Sequence, residues 1–177
     1  MWKVLDGTGL ERFQLLPLGE GWNLRGTLIR LHQGQPFEVK YSIACDSRWQ
    51  TLNANIELWG NQKNSSIFVE NREGAWTANG QRVSQLDGCL DMDLEWSPST
   101  NTLPIRRLKL AEHRESGLID AAWIRFPELA LDRLEQRYTL LSDKCYRYSS
   151  GQGQFTAEIV VDERGIVAEY KGYWKQV

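Results

Sequence analysis

Apolar and polar residues alternate with a period of two through most of the chain. Phe37, Val39, Tyr41, Ile43 and Cys45 share one parity, and Glu38, Lys40, Ser42 and Asp46 fall mostly on the other. This pattern predicts a strand with one buried face. Leu52, Ala54, Ile56 and Leu58 repeat it, with Asn53, Asn55 and Glu57 opposite. The four residues 46–49 between the runs predict a short corner joining an antiparallel pair. Residues 11–32 read as strands split by Pro17 and by residues 19–21. Within 22–32 the apolar parity changes, from Trp22 and Leu24 to Ile29 and Leu31, with Gly26 between; a bulge or bend is expected there. Residues 60–66 read as a polar turn, and Asn79-Gly80 as a hairpin turn. Strands are further predicted over 67–69, 75–77, 118–126, 146–150, 154–161 and 166–174, with a turn at 162–165. Turns at this spacing mark an all-β, mainly antiparallel sheet.

Residues 127–141 read two ways. Ala130, Leu134, Tyr138 and Leu141 have helical spacing, with Pro127 as a first helical residue. Leu134, Gln136, Tyr138 and Leu140 have strand spacing. The residues alone lean to a helix.

The stretch 88–110 breaks the alternation. Leu90, Met92, Leu94 and Trp96 face one way, and Asp91, Asp93 and Glu95 the other. Residues 97–100 follow as turn chemistry. Asn101 is a good N-cap residue, which puts Pro104 in a first turn where its missing N–H costs nothing. A helix over about 102–108 is therefore expected. So short a helix is unstable alone in water, so the rest of the fold must hold it.

The length of 177 residues predicts one domain, 1–177. The net charge of −2 argues against a general nucleic-acid binder, which needs a basic patch. No apolar run approaches the roughly twenty residues of a membrane span. The start lacks an apolar signal segment, so no secretory leader is expected. Three dispersed cysteines, Cys45, Cys89 and Cys145, read as reduced thiols in a cytoplasmic protein. His32 and His113 are far apart, and neither a metal nor a cofactor is expected. Eight tryptophans are many for this length. Most are expected in the core, with some free to line a pocket.

The acid-bearing strand admits two readings. Asp91 and Asp93 lie about 6–7 Å apart on one strand face, which suits a glycan-processing carboxylate pair. The plainer reading is a solvated face or partners for Arg106, Arg107 or Arg125. Arg106 and Arg107 could grip an anionic head group by bidentate bonding. On a helix they diverge by about 100°, so at most one faces inward, and it would need Asp91 or Asp93 as a partner.

The run Thr-Asn-Thr-Leu-Pro-Ile-Arg-Arg-Leu at 100–108, preceded by Gly-Cys-Leu-Asp-Met-Asp-Leu at 88–94, resembles the signature of the putative glycolipid-binding family. Residues 41–49, 136–138, 146–149, 155–162 and 165–170 are similar to its other strands, so the resemblance covers nearly the whole chain. It implies a many-stranded curled sheet, a β-roll wrapped around a single short α-helix. It also implies strand over most of 127–141, and a homodimer. The resemblance implies little chemistry by itself; together with the tryptophans, which would make the concave side of such a sheet an apolar slot, it leads to the expectation of a non-enzymatic protein that holds an amphipathic ligand, such as a glycolipid. The expected ligand contacts are Trp49, Arg106, Arg107, Gln136 and Tyr138, with Asp46 orienting its loop. A structural or interaction protein with a filled core, working as a homodimer, is the third reading. Finally, Gln35-Pro-Phe37 with its strand and Asp46 matches Gly153-Gln-Phe155 with its strand and Asp162, which hints at a duplicated half-roll.

Overall fold

The computed structural model describes residues 1–60 and 63–177. The turn expected over 60–66 lies partly outside the described residues, and its described residues are strand, with Gly60 paired to Lys63 and 64–66 to 57–59. Strands run as β1 (Trp2–Val4), β2 (Gly9–Leu18), β3 (Gly21–His32), β4 (Gln35–Cys45), β5 (Thr51–Gly60), β6 (Lys63–Arg72), β7 (Ala75–Ala78) and β8 (Gln81–Arg82). After β9 (Asp91–Leu94) come the helix α1 (Thr102–Arg107) and a single turn, α2 (Leu110–His113). The chain closes with β10 (Ile119–Arg125), β11 (Ala130–Ser142), β12 (Cys145–Ser150), β13 (Phe155–Val161), β14 (Val167–Tyr170) and β15 (Trp174–Gln176).

All fifteen strands form one curled, unclosed sheet, in the order β8 to β1 and then β15 to β9. Every pairing is antiparallel except β9 with β10. The sheet is therefore two halves welded at the middle, where β1 pairs with β15. The halves roll towards each other around β9 and α1. The backbone N–H of Thr51 donates to Leu90 at 3.0 Å, and that of Gly88 to Gly74 at 2.9 Å, carrying the β9 end against the other half. Both faces of β9 are covered: Asp91 is as buried as its neighbours Met92 and Leu94. In α1, Thr102, Leu103, Pro104 and Ile105 are buried. The helix that cannot stand alone is thus wrapped by strands.

Several local expectations change. No bulge interrupts β3, whose register with β2 and β4 is continuous. The parity of Leu24 and Leu28 simply continues into Arg30 and His32, while Ile29 and Leu31 face outward, 59% and 49% exposed. Gly26 serves a different end: its bare backbone accepts the Tyr41 ring, and a Cβ there would lie 2.2 Å from Tyr41 Cζ. Leu52 leaves the core, because a register shift opposite Ala44 and Cys45 drops it from the alternation. Residues 130–142 are strand, not helix, since β10 and β12 pair with both edges and complete the backbone bonding. The strand expected over 166–174 is two strands, β14 and β15, broken at Gly172 with φ +83°. Asn101 precedes α1 without capping it. A 3₁₀ turn at Ser99–Asn101 already sets helical backbone there, and the Asn101 amide donates to Pro98 O instead.

Candidate functional site

A cleft of about 730 Å³ opens between the two halves at the end of β9. Arg30, His32, Trp96 and Ser97 line one side; Trp123, Tyr148, Phe155, Tyr170, Tyr173 and Trp174 line the other. Strand parity delivers Arg30 and His32 there, because the core face of β3 runs on into the mouth. The Arg30 guanidinium lies over the Trp96 ring at 5.4 Å, and its buried Nε has no hydrogen-bond partner among the described residues. Trp96 stacks on Phe126 at 5.0 Å and meets Phe37 edge-on. Opposite, the Tyr148, Phe155, Tyr170 and Tyr173 rings lie 5.3–6.3 Å apart and form one aromatic wall.

The acidic face of β9 is divided among three environments. Asp91 is gripped by Arg107, with Nε 2.9 Å from Oδ1 and Nη2 2.6 Å from Oδ2. Burial pushes the Asp91 carboxyl up and the Arg107 contacts pull it down. Asp93 reaches the cleft. Its Oδ2 accepts from Gln136 Nε2 at 2.7 Å, and Gln136 also donates to the Tyr148 hydroxyl at 3.1 Å. Burial raises the Asp93 carboxyl to about 6, outweighing the Gln136 bond. Glu95 is at the mouth and accepts from the Phe126 N–H at 2.8 Å. Of the face read as solvated or as arginine partners, Asp91 is buried with an arginine partner, Asp93 is half-buried and Glu95 stays exposed, because the second half of the sheet closes over its inner end.

A buried polar knot lies behind Ser97. The Tyr41 hydroxyl donates to Glu11 Oε1, and the Ser97 hydroxyl donates to the same oxygen at 2.8 Å. Ser99 Oγ lies 2.8 Å from both hydroxyls. Glu11 Oε2 has no hydrogen-bond partner among the described residues, and burial raises this carboxyl to about 7. Nothing in the alternation of β2 distinguishes Glu11 from a surface acid.

Neither the five expected ligand contacts nor Asp46, expected to orient its loop, lines the cleft. Gln136 and Tyr138 stand directly behind it. Gln136 holds Asp93, and the Tyr138 hydroxyl donates to Asn101 Oδ1 at 2.8 Å. The other four meet elsewhere. Asp46 Oδ1 accepts from the N–H groups of Arg48 and Gln50, fixing the β4–β5 corner. Trp49 stacks on Trp22 at 5.3 Å, and the Arg106 guanidinium covers Trp49 at 4.9 Å. Arg107 is the inward arginine, occupied by Asp91. Sequence reasoning missed Arg30 and His32 because the apolar Ile29 and Leu31 drew the parity assignment the other way. Among the described residues, no group of three or more His, Cys, Asp or Glu side chains is placed to hold a metal ion.

The fold has close counterparts among solved structures. A DUF1089 family protein from Pseudomonas aeruginosa superposes with a TM-score of 0.87 and 29% identity, over 96% of this chain and 92% of that one. A β-barrel-like protein of domain of unknown function DUF1849 from Brucella abortus shares the fold more distantly, with a TM-score of 0.57 and 10% identity over 99% and 92% of the two chains. No curated protein sequence matches. The family described as "Putative glycolipid-binding" matches residues 1–176, and with that match spanning the whole roll, the chain belongs to this family.

Proposed function

We propose that the protein is a non-enzymatic binding protein for an amphipathic small molecule, with a glycolipid among the ligands its family description suggests. One observation carries this reading: a cleft of about 730 Å³ with aromatic walls and polar groups at its lining, among them the charged Asp6, Arg30, Asp93 and Glu95. That is the size and make-up of a small-molecule site. Gln136 and Tyr138 support the cleft from behind, whereas Asp46, Trp49, Arg106 and Arg107 hold the corners and helix that shape it. The glycan-processing alternative needs Asp91 and Asp93 together, and the Arg107 grip leaves Asp93 alone of that pair on the cleft. Free thiols at Cys45, Cys89 and Cys145 favour a reducing, cytoplasmic setting. A homodimer would have a seat on the outer face, where the exposed Leu10 and Ile29 are cross-strand neighbours.

Octyl glucoside titrated below its micelle concentration should change tryptophan fluorescence, because Trp96, Trp123 and Trp174 line the cleft. Leu134→Trp, which places an indole in the cleft, should abolish the change while leaving the circular dichroism intact. A full response in that variant, or none in the wild type and no lipid in native mass spectra, would overturn the reading.

A further inference from the structure

Asp93 is the charge in the cleft to which the fold supplies no opposite. Its neighbour Asp91 is neutralised by two nitrogens of Arg107. Arg30, the cation lining the cleft, is drawn to Asp6 and Glu95. Asp93 receives one neutral amide bond, from Gln136 at 2.7 Å, and among the described residues no cation acts on it. It is half-buried, and what exposure it has is to the cleft. An unpaired carboxylate so enclosed is costly, and an arriving cation would offset that cost.

The surroundings suit a cation as well. Trp123, whose ring already carries the Arg125 guanidinium at 5.6 Å on one face, is the register neighbour of Asp93 on β10, and Tyr148 shares Gln136 with it. Phe155, Tyr170 and Tyr173 continue the wall from Tyr148. Aromatic ring faces carry negative potential and attract ammonium groups. Three carboxylates, Asp6, Asp93 and Glu95, against the single guanidinium of Arg30 would repel an anionic head group. A neutral sugar could hydrogen-bond to Asp93 but would leave its charge uncompensated.

We infer that the cleft takes an amphiphile whose head group is an organic cation, an amine or a quaternary ammonium, seated on Asp93 beside Trp123 and Tyr148 with its chain along the aromatic wall. This rests on the amphiphile-binding reading of the same cleft, so the test separates the two.

Four ligands with one chain length are compared by calorimetry below their micelle concentrations: octylammonium, octyltrimethylammonium, octyl glucoside and octyl sulfate. The cations should bind at least about tenfold more tightly than the glucoside, and the sulfate most weakly. A stronger octylammonium signal assigns the recognition to hydrogen bonding by Asp93; a stronger octyltrimethylammonium signal assigns it to the rings. Asp93→Asn should weaken the cations by at least about tenfold and the glucoside, which loses at most a hydrogen bond, by far less. Glucoside or sulfate binding as tightly as the cations, or a cation preference that survives in Asp93→Asn, overturns the inference but leaves the amphiphile reading standing. If none of the four binds, both fall. Should Asp93→Asn not fold, the wild-type order of the four ligands decides alone.

Discussion

Trp49 and Gly165 occupy equivalent places in two corners built to one plan. In each, an aspartate opens the turn: Asp46 Oδ1 accepts from the N–H groups of Arg48 and Gln50, and Asp162 Oδ1 from those of Arg164 and Ile166, all at 2.9 Å. The fourth residue is left-handed in both, with φ +68° at Trp49 and +73° at Gly165. The register shifts beside each corner, at Ala44/Cys45 and at Val160/Val161. Arg106 touches both: its guanidinium covers Trp49 at 4.9 Å, and a Cβ on residue 165 would lie 3.0 Å from its Cδ. The two half-rolls thus present matching corners to the inner helix.

Equivalent corners should fail alike. Asp46→Ala and Asp162→Ala each remove two bonds from carboxylate to backbone, at a cost of about 1–3 kcal/mol apiece. Urea unfolding of the single and double variants checks this. A loss confined to one corner would show that the resemblance of their geometry is not shared in energy.

The two helix arginines should differ sharply. Arg107→Ala strands Asp91 as an uncompensated buried charge, which costs about 3–5 kcal/mol. Arg106→Ala removes a guanidinium from the Trp49 face and should cost about 1 kcal/mol. Thermal melts that place the two variants together would mean that the Asp91 pair does not anchor α1.

Stability should fall as the pH rises through neutrality. Glu11 and Asp93 are raised to about 7 and about 6, from ordinary values of 4.5 and 3.8, with burial the largest cause for each. The folded chain therefore holds these protons more tightly than the unfolded chain does. Their stabilising contribution is full below about 4, where the unfolded chain also keeps both protons, and is lost progressively from there as the pH climbs through about 6 and 7. Glu11→Gln should melt close to wild type at pH 5 and above it at pH 8. A wild-type melting temperature that instead climbs steadily from pH 5 to pH 8, with Glu11→Gln following it, would refute this.

Gly26→Ala should disrupt the inner face of β3. Its methyl group would fall within the Tyr41 ring, 2.2 Å from Cζ, and displacing that ring also pulls on Glu11. Overpacking of this kind costs about 1–3 kcal/mol, and the unmade Glu11 bond adds to it. Chemical denaturation, with near-ultraviolet circular dichroism reporting on Tyr41, gives the answer.

Period-two alternation at 37–45 and 54–58 is enough to specify strands, since a one-residue slip would turn every apolar side chain outward. The corner at 46–49, the short helix after 101 and the presence of one inward arginine on it, though not which of Arg106 and Arg107, were legible for local reasons: turn chemistry, Pro104, and the divergence of neighbouring helix positions. The matching Asp46 and Asp162 corners were visible as a loose repeat. Three matters lay beyond the sequence. Residues 130–142 carry both periods, and only pairing with β10 and β12 decides for strand. The acids of β9 read as solvated or as arginine partners, and nothing local records that a second half-roll closes over Asp91 and Asp93. The cleft itself joins residues as far apart as Arg30, Asp93 and Tyr170, brought together when β1 meets β15 and the sheet curls. Local pattern fixes which way a side chain points on its strand; what it then faces is set by the curvature and closure of the whole sheet.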